Sequence, residues 1–235
     1  MVPFGHQEDR MEQGRPHAAV PAQADARGEH VHEAYERPAR RVPQRYSVRG
    51  QVLDALRKAL VSGELTPGEV YSGPVLGERF GVSATPVREA MQQLVLEGAV
   101  EVVPNRGFRV ASRTARDLAE LAEVRALLEV PAVLRLAGAA PAGCWAGLRP
   151  LAERAAAVAV CGDRAAYAEA DRAFHAALLA LTGNRQLVLV AEGLQRRTPA
   201  TDLTRDAAEH LVLLDALASG DLARAEDVLR RHVHG

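Results

Sequence analysis

Cysteine, charge of one sign and long apolar runs are all scarce in this chain, and each scarcity excludes something. Only two cysteines occur in 235 residues, Cys144 and Cys161, and neither sits in a CxxC or zinc-like spacing. A disulfide framework and a cysteine-built metal site are excluded, and incidental reduced thiols suit a reducing compartment. No apolar run approaches the roughly 18 residues of a membrane-spanning helix, and the N-terminus lacks the continuous apolar core of a secretory leader. The expected location is cytoplasmic, with no membrane partner. The formal net charge is only -1, and residues 47–110 carry seven Lys/Arg against seven Asp/Glu. Any contact with nucleic acid must therefore rest on local arrangement rather than on overall charge.

What remains is ordinary globular material with one exception. Residues 1–46 mix Pro, Gly, Gln, Glu, Arg and His with few apolar side chains and no sustained period. Such a segment cannot bury enough apolar surface to offset its ordering entropy, so a disordered tail is expected. Its histidines, His6, His17, His30 and His32, are read as incidental.

Residues 47–111 read as a small helical unit closed by a hairpin. Val52, Leu53, Leu56, Ala59, Leu60 and Val61 mark a first helix over about 47–62, ended by Gly63. Pro67-Gly68 is a turn, and a second short helix covers about 74–80. Gly81-Val82-Ser83 leads into a third helix, with Ser83 as its N-cap, Pro86 in its first turn and Gly98 as its stop. Val87, Ala90, Met91 and Leu94 form its apolar stripe, while Thr85, Arg88 and Gln92 share another face and can point outward. Two helices joined by a short Gly-containing turn have the shape of a helix-turn-helix. The segments AVEVV and GFRV alternate about Pro104-Asn105-Arg106-Gly107 and predict a β-hairpin, with Gly107 available for a positive φ.

The order GELTPG, GVSATPVREAM, EG, PNRGFRV resembles the winged-helix DNA-binding domain of the GntR family of bacterial transcription regulators. The resemblance implies that the third helix enters the major groove and that the wing tip reaches the adjacent minor groove or backbone. By position, Ser83, Thr85 and Arg88 would contact DNA from the recognition helix, with Gln92 on the same outward face. Asn105, Arg106 and Gly107 would act from the wing, and Arg49 would meet phosphate. Two positions depart from the family pattern, because Ala84 and Pro74 stand where many members have arginine. Arg88 would then carry more of the readout, since a bidentate Arg–guanine contact discriminates by roughly 1–3 kcal/mol.

Residues 112–235 show helical periods alone. A long first helix carries Leu118, Leu121, Ala122, Leu128 and Val133 and is expected to end or kink near Pro131. Further helices are expected over about 142–160, 164–181, 186–197, 201–218 and 222–233, with short loops that imply an antiparallel bundle. Polar residues interrupt the apolar stripes. Asp171 and His175 lie four apart beside Tyr167, Ala170, Phe174, Leu178 and Leu181. His210 joins Ala207, Leu211, Leu214 and Leu217, and His232 continues Leu222, Ala225 and Leu229. Each alone reads as a satisfied core polar group. Together, one aspartate and three histidines facing inward fit a shared divalent ion, Zn, Ni or Mn, with room for water or a carboxylate. Arg125 also lies on an apolar stripe and needs an anionic partner, either Glu129 or an effector carboxylate.

The elements DRAFH with the following GN, EH at 209–210, ASGDLARA and Arg231-His232 resemble the FCD effector domain of FadR-type GntR regulators. In its metal-containing members the positions of Asp171, His175, His210 and His232 ligate the ion, which in turn binds an organic acid. The fold expected is mainly α, a winged helix-turn-helix followed by an antiparallel helical bundle. The function expected is a homodimeric regulator, a repressor, bound to a palindromic double-stranded operator and modulated by a small carboxylate. One alternative makes the metal structural or itself the signal. Another, a metal-dependent hydrolase, finds no general base beside the site and leaves the winged helix unexplained, so no enzyme activity is expected.

Overall fold

The structure, a computed structural model, describes residues 47–235, and the expected tail with its four histidines lies outside the described residues. Helix α1 (Val48–Val61) starts where the Ser47 side chain accepts a hydrogen bond from the Gly50 amide at 3.1 Å. It buries Val52, Leu56 and Ala59, the i, i+4, i+7 set of one face. After the Pro67-Gly68 turn come strand β1 (Val70–Tyr71) and helix α2 (Gly73–Phe80), the latter with Pro74 in its first turn. Gly81 ends α2 at φ 66, and helix α3 (Ala84–Leu96) follows after two residues. The turn between them is tight: a Cβ on Gly77 would lie 2.8 Å from the Val82 carbonyl oxygen.

Strands β2 (Val100–Val103) and β3 (Gly107–Val110) form the expected hairpin, but the sheet has a third member. Its order is β1-β3-β2, all antiparallel, with Val70 opposite Arg109 and Val100 opposite Val110. At two residues β1 is too short to display alternation, which is why periodicity misses it. Leu56, Leu65, Leu76, Val87, Met91 and Leu94 pack into one core with Phe108 and Val110 of the sheet.

The second part is entirely helical among the described residues. Helix α4 (Ala115–Ala139) opens on a capping box in which Thr114 and Asp117 exchange hydrogen bonds. It does not end at Pro131, one of the two outcomes expected there, but continues to Ala139. Pro131 lies on the exposed face, where water can satisfy the carbonyl its ring leaves free, while Val130, Ala132 and Val133 around it are buried. The helix expected over 142–160 is instead a 3-10 turn (Ala142–Leu148) followed by α5 (Arg149–Cys161), since Pro150 supports a fresh helix start. Then come α6 (Arg164–Ala180), α7 (Arg185–Gln195), α8 (Leu203–Ser219) and α9 (Leu222–His234). Side chains of Asp163, Asn184, Asp202 and Asp221 cap α6 to α9 in turn. Leu181 and Leu222, expected on buried stripes, sit at helix ends and are each 39% exposed. The main core joins Val130 and Val133 of α4 to Phe174, Leu178, Leu214, Leu217, Val228 and Leu229. All described residues fall within one compact unit, with α1 packed on α6.

Candidate functional site

On the winged helix the sequence-derived candidates fall into two groups. Arg88 and Gln92 of α3 line one shallow concavity with Asn105, Arg106 and Gly107 of the wing. Arg49, Ser83 and Thr85 are exposed but lie outside that concavity. The Arg88 stem crosses Gly73, where an added Cβ would come within 3.1 Å of Arg88 Cγ. The small residue at the start of α2 thus makes room for the arginine. Among the described residues, no ion pair engages Arg49, Arg88 or Arg106. Ser83 stands at the N-cap of α3 but makes no capping hydrogen bond, so its hydroxyl is available outward. Gly107 is required by its backbone: φ is 128, and a Cβ would meet the Tyr71 carbonyl oxygen at 2.2 Å. Asn105 is the sole non-glycine with positive φ among the described residues, at 61, a conformation asparagine tolerates.

In the helical domain the structure brings all four expected ligands together. The Nε2 atoms of His175, His210 and His232 and the Oδ1 of Asp171 lie within 4.8 Å of one another. His175 Nε2 is 2.8 Å from His232 Nε2, and His210 Nε2 is 3.3 Å from the same atom. Asp171 Oδ1 is 3.2 Å from His210, 3.7 Å from His175 and 4.0 Å from His232. Metal–nitrogen bonds of about 2.0–2.1 Å in a tetrahedral site imply ligand–ligand edges of about 3.3–3.4 Å. The observed edges scatter around that value. Three imidazole nitrogens so close together also repel through their lone pairs unless a proton or cation lies between them. The donor set therefore fits a divalent ion of the imidazole-preferring kind.

The rings are held from behind. His232 Nδ1 faces Glu209 Oε2 at 3.2 Å, and His175 Nδ1 faces Glu129 Oε2 at 3.4 Å. A carboxylate on Nδ1 retains the proton there and leaves the Nε2 lone pair aimed inward. Phe174 stacks on His210 with ring centroids 4.1 Å apart, and the Tyr167 hydroxyl donates to Asp171 at 3.4 Å. The approach of Glu209 to His232 and of Glu129 to His175 is not visible in the sequence, because each is a tertiary contact whose spacing signals nothing.

Electrostatics follow from burial. Burial alone would raise Glu129, but the His175 ring 3.4 Å away and the charge of Arg125 outweigh it and hold it at about 2. Asp171 is likewise held well below the usual carboxylate range, burial being overcome by the three histidines. Burial drives His210 down to about 4, against the pull of Asp171, so its ring is neutral and able to ligate.

Arg125 is 5% exposed and its Nε donates to Glu129 Oε1 at 2.9 Å. Its Nη2 is buried without a partner. The same arginine lines a cavity of about 290 Å³ together with Asp171 and His232. Glu129 therefore answers only part of what Arg125 offers, and Arg125 shares a cavity lining with two of the four candidate ligands.

The family described as "Bacterial regulatory proteins, gntR family" matches residues 48–110, and the FCD domain matches residues 120–235. A probable D-xylose utilization operon transcriptional repressor of Paenarthrobacter nicotinovorans is 30% identical over 201 residues, covering 80% of this chain and 87% of its own. The HTH-type transcriptional repressor GlaR of Escherichia coli K12 is 29% identical over 196 residues, covering 76% and 89%. Among solved structures, E. coli McbR/YncC superposes with a TM-score of 0.63 at 27% identity, over 80% of this chain and 93% of that one. These relatives are regulators and not enzymes. The chain belongs to the GntR family of bacterial transcription regulators, with an FCD domain following its DNA-binding winged helix.

Proposed function

We propose that this regulator is a repressor whose hold on a palindromic operator is set by a small organic acid bound at a divalent metal ion. The observation that carries the reading is the convergence of Asp171, His175, His210 and His232 beside the unpartnered Nη2 of Arg125. Repression is supported by the two relatives above, both transcriptional repressors by description. The DNA-binding domain is taken as residues 47–111 and the effector domain as 112–235. Ser83, Thr85, Arg88 and Gln92 read base edges, Asn105, Arg106 and Gly107 act from the wing, and Arg49 meets phosphate. A homodimer places two such faces on one side of the duplex.

A bound Zn²⁺, Ni²⁺ or Mn²⁺ would supply a Lewis-acidic position for a carboxylate. The protein does the rest. Glu129 and Glu209 keep the His175 and His232 rings aimed, Tyr167 orients Asp171, and Arg125 pairs with the acid's free oxygen. The acid shifts operator binding only by its differential affinity for two arrangements of the winged helices.

The test is metal analysis of the gently purified protein together with operator binding, with and without a panel of carboxylates. One divalent ion per chain, lost in His175→Ala, and an operator affinity that changes with one acid are expected. Absence of a stoichiometric metal would sink the reading. A second reading, in which the ion is structural or itself the signal, draws on the near-complete burial of His175 and His210. It predicts operator binding that responds to metal and to no acid.

A further inference from the structure

A second cavity, of about 350 Å³, lies where the winged helix meets the helical domain. Leu60 of α1 and Ala99 and Val110 flanking the wing form one wall, and residues of α6 and the segment after α7 form the other. Its size is at the small end of ligand pockets, which run from about 300 to 1,000 Å³.

Its polar lining is unbalanced. Arg113, Arg164, Arg172 and Arg197 all line it, and among the described residues none of the four has an ion pair. Arg113 and Arg164 each donate to a backbone carbonyl, of Gly98 and of Ala200, both at 2.6 Å. Arg197 Nε is buried without a partner. The carboxylate on this wall, Asp171, is engaged with the histidines. Asp117 acts on Arg113 but is engaged in its capping box with Thr114. Burial and the neighbouring Arg197 lower the Arg113 guanidinium. Five arginines thus line the cavity against one carboxylate, Asp171, and of the five only Arg196 has an ion pair among the described residues, to Glu192.

Gln195 adds an independent sign. It is 6% exposed, lines the cavity, and neither its Oε1 nor its Nε2 has a partner. A buried amide left so loses about 1–3 kcal/mol per group, unlike a surface one. It wants both an acceptor and a donor, and the arginines want acceptors with spread negative charge.

We propose that this cavity binds a small phosphate ester bearing a hydroxyl, beside the metal centre, with which it shares Asp171 on one wall. The phosphate oxygens accept from the arginines, whose forked donors match them in pairs. An ester oxygen accepts from Gln195 Nε2, a hydroxyl donates to its Oε1, and the carbon body lies against Leu60 and Val110. Because both domains form the walls, the bound ester ties the winged helix to the bundle and restricts its orientation. The winged helix then answers to two small molecules rather than one.

The experiment is calorimetric titration of the metal-loaded full chain with glycerol 3-phosphate, glucose 6-phosphate and inorganic phosphate. Saturable binding of one ester per chain, tighter than inorganic phosphate, is expected. The double variant Arg113→Met/Arg197→Met should weaken it by at least about tenfold, equivalent to about 1.4 kcal/mol. Gln195→Leu, which removes the amide at similar volume, should also weaken it, and it gives the answer if the double variant fails to fold. Arg88→Ala should leave ester affinity unchanged, which separates this site from the DNA face. Two results would overturn the proposal: no saturable binding of any probe, or binding unaltered in Gln195→Leu.

Discussion

The winged helix and the helical domain use the same residue types under opposite conditions. Arg49, Arg88 and Arg106 stand exposed with no ion pair, whereas Arg125, Glu129, His175 and His210 are buried and lean on one another. An unpaired surface charge costs almost nothing and remains open to a partner from outside. A buried charge costs several kcal/mol unless it is matched, so its partner must be built in or bound. Substitution should therefore act on stability in one region and on binding alone in the other.

The largest effect is expected at Glu129, which joins Arg125 to His175. Glu129→Ala leaves a buried guanidinium unpaired and should lower unfolding free energy by about 3–5 kcal/mol. It also frees the His175 ring, so metal affinity should fall roughly 10–100-fold. Denaturant midpoints and a competitive metal titration read the two. An unchanged midpoint would mean that the buried pair contributes no stability, and the contrast between the regions would collapse.

Acid provides the next test. Folded His210 is held at about 4 by burial, against an ordinary value of 6.5. Between those values the unfolded chain binds more protons than the folded one, so stability rises with pH there. The contribution is complete above 6.5 and is lost as pH falls toward 4, by a few kcal/mol in all. Glu129, depressed to about 2, loses its contribution in the same direction below its ordinary 4.5. Bound metal competes with these protons and should steepen the loss. A midpoint that stays flat over this range would show that His210 is not buried as a neutral ring. In the winged helix Glu97, held below its ordinary 4.5 against burial by the hydrogen bond from Arg57, should lose its contribution only below that value.

Gly107 tests an exception, a wing-tip residue whose role is steric rather than electrostatic. At φ 128 with the Tyr71 carbonyl 2.2 Å from any added Cβ, Gly107→Ala must shift β1 or twist the wing. A cost of about 1–3 kcal/mol is expected, confined to the winged helix. Amide exchange should rise in β1 and β3 and remain unchanged in α6, α8 and α9.

The same contrast explains what the sequence could and could not disclose. The outward face of α3 follows from a 3.6-residue period, so Thr85, Arg88 and Gln92 were legible, as were the stripes carrying Asp171, His175, His210 and His232. Periodicity reports which face a residue occupies and not what it touches. Glu209 and Glu129 reach their histidines across 23 and 46 residues of chain, where only the packed bundle brings them near. Strand β1 was missed because two residues cannot alternate, and α4 runs through Pro131 because the ring lies on the solvent side. The unpartnered amide of Gln195 belongs with these: nothing in RRTPAT or the helix before it marks that position as sealed.

The smallest effect on folding, and the sharpest division between regions, is expected at Arg88. Its guanidinium is exposed and unpaired, and its stem rests over Gly73, which loses little when the stem is cut back. Arg88→Ala should change unfolding free energy by no more than about 0.5 kcal/mol, as surface substitutions do. Operator binding should weaken by about 1–3 kcal/mol, and base preference should relax at one position in each half-site. Arg49→Ala should weaken binding uniformly across sequences and reduce the slope of affinity against salt by about one, since phosphate contacts release counterions without reading bases. Footprinting on an operator and on scrambled DNA at two salt concentrations separates these outcomes. If Arg88→Ala lost affinity equally on both DNAs, the arginine would be a phosphate contact, and base readout would fall to Ser83, Thr85 and Gln92.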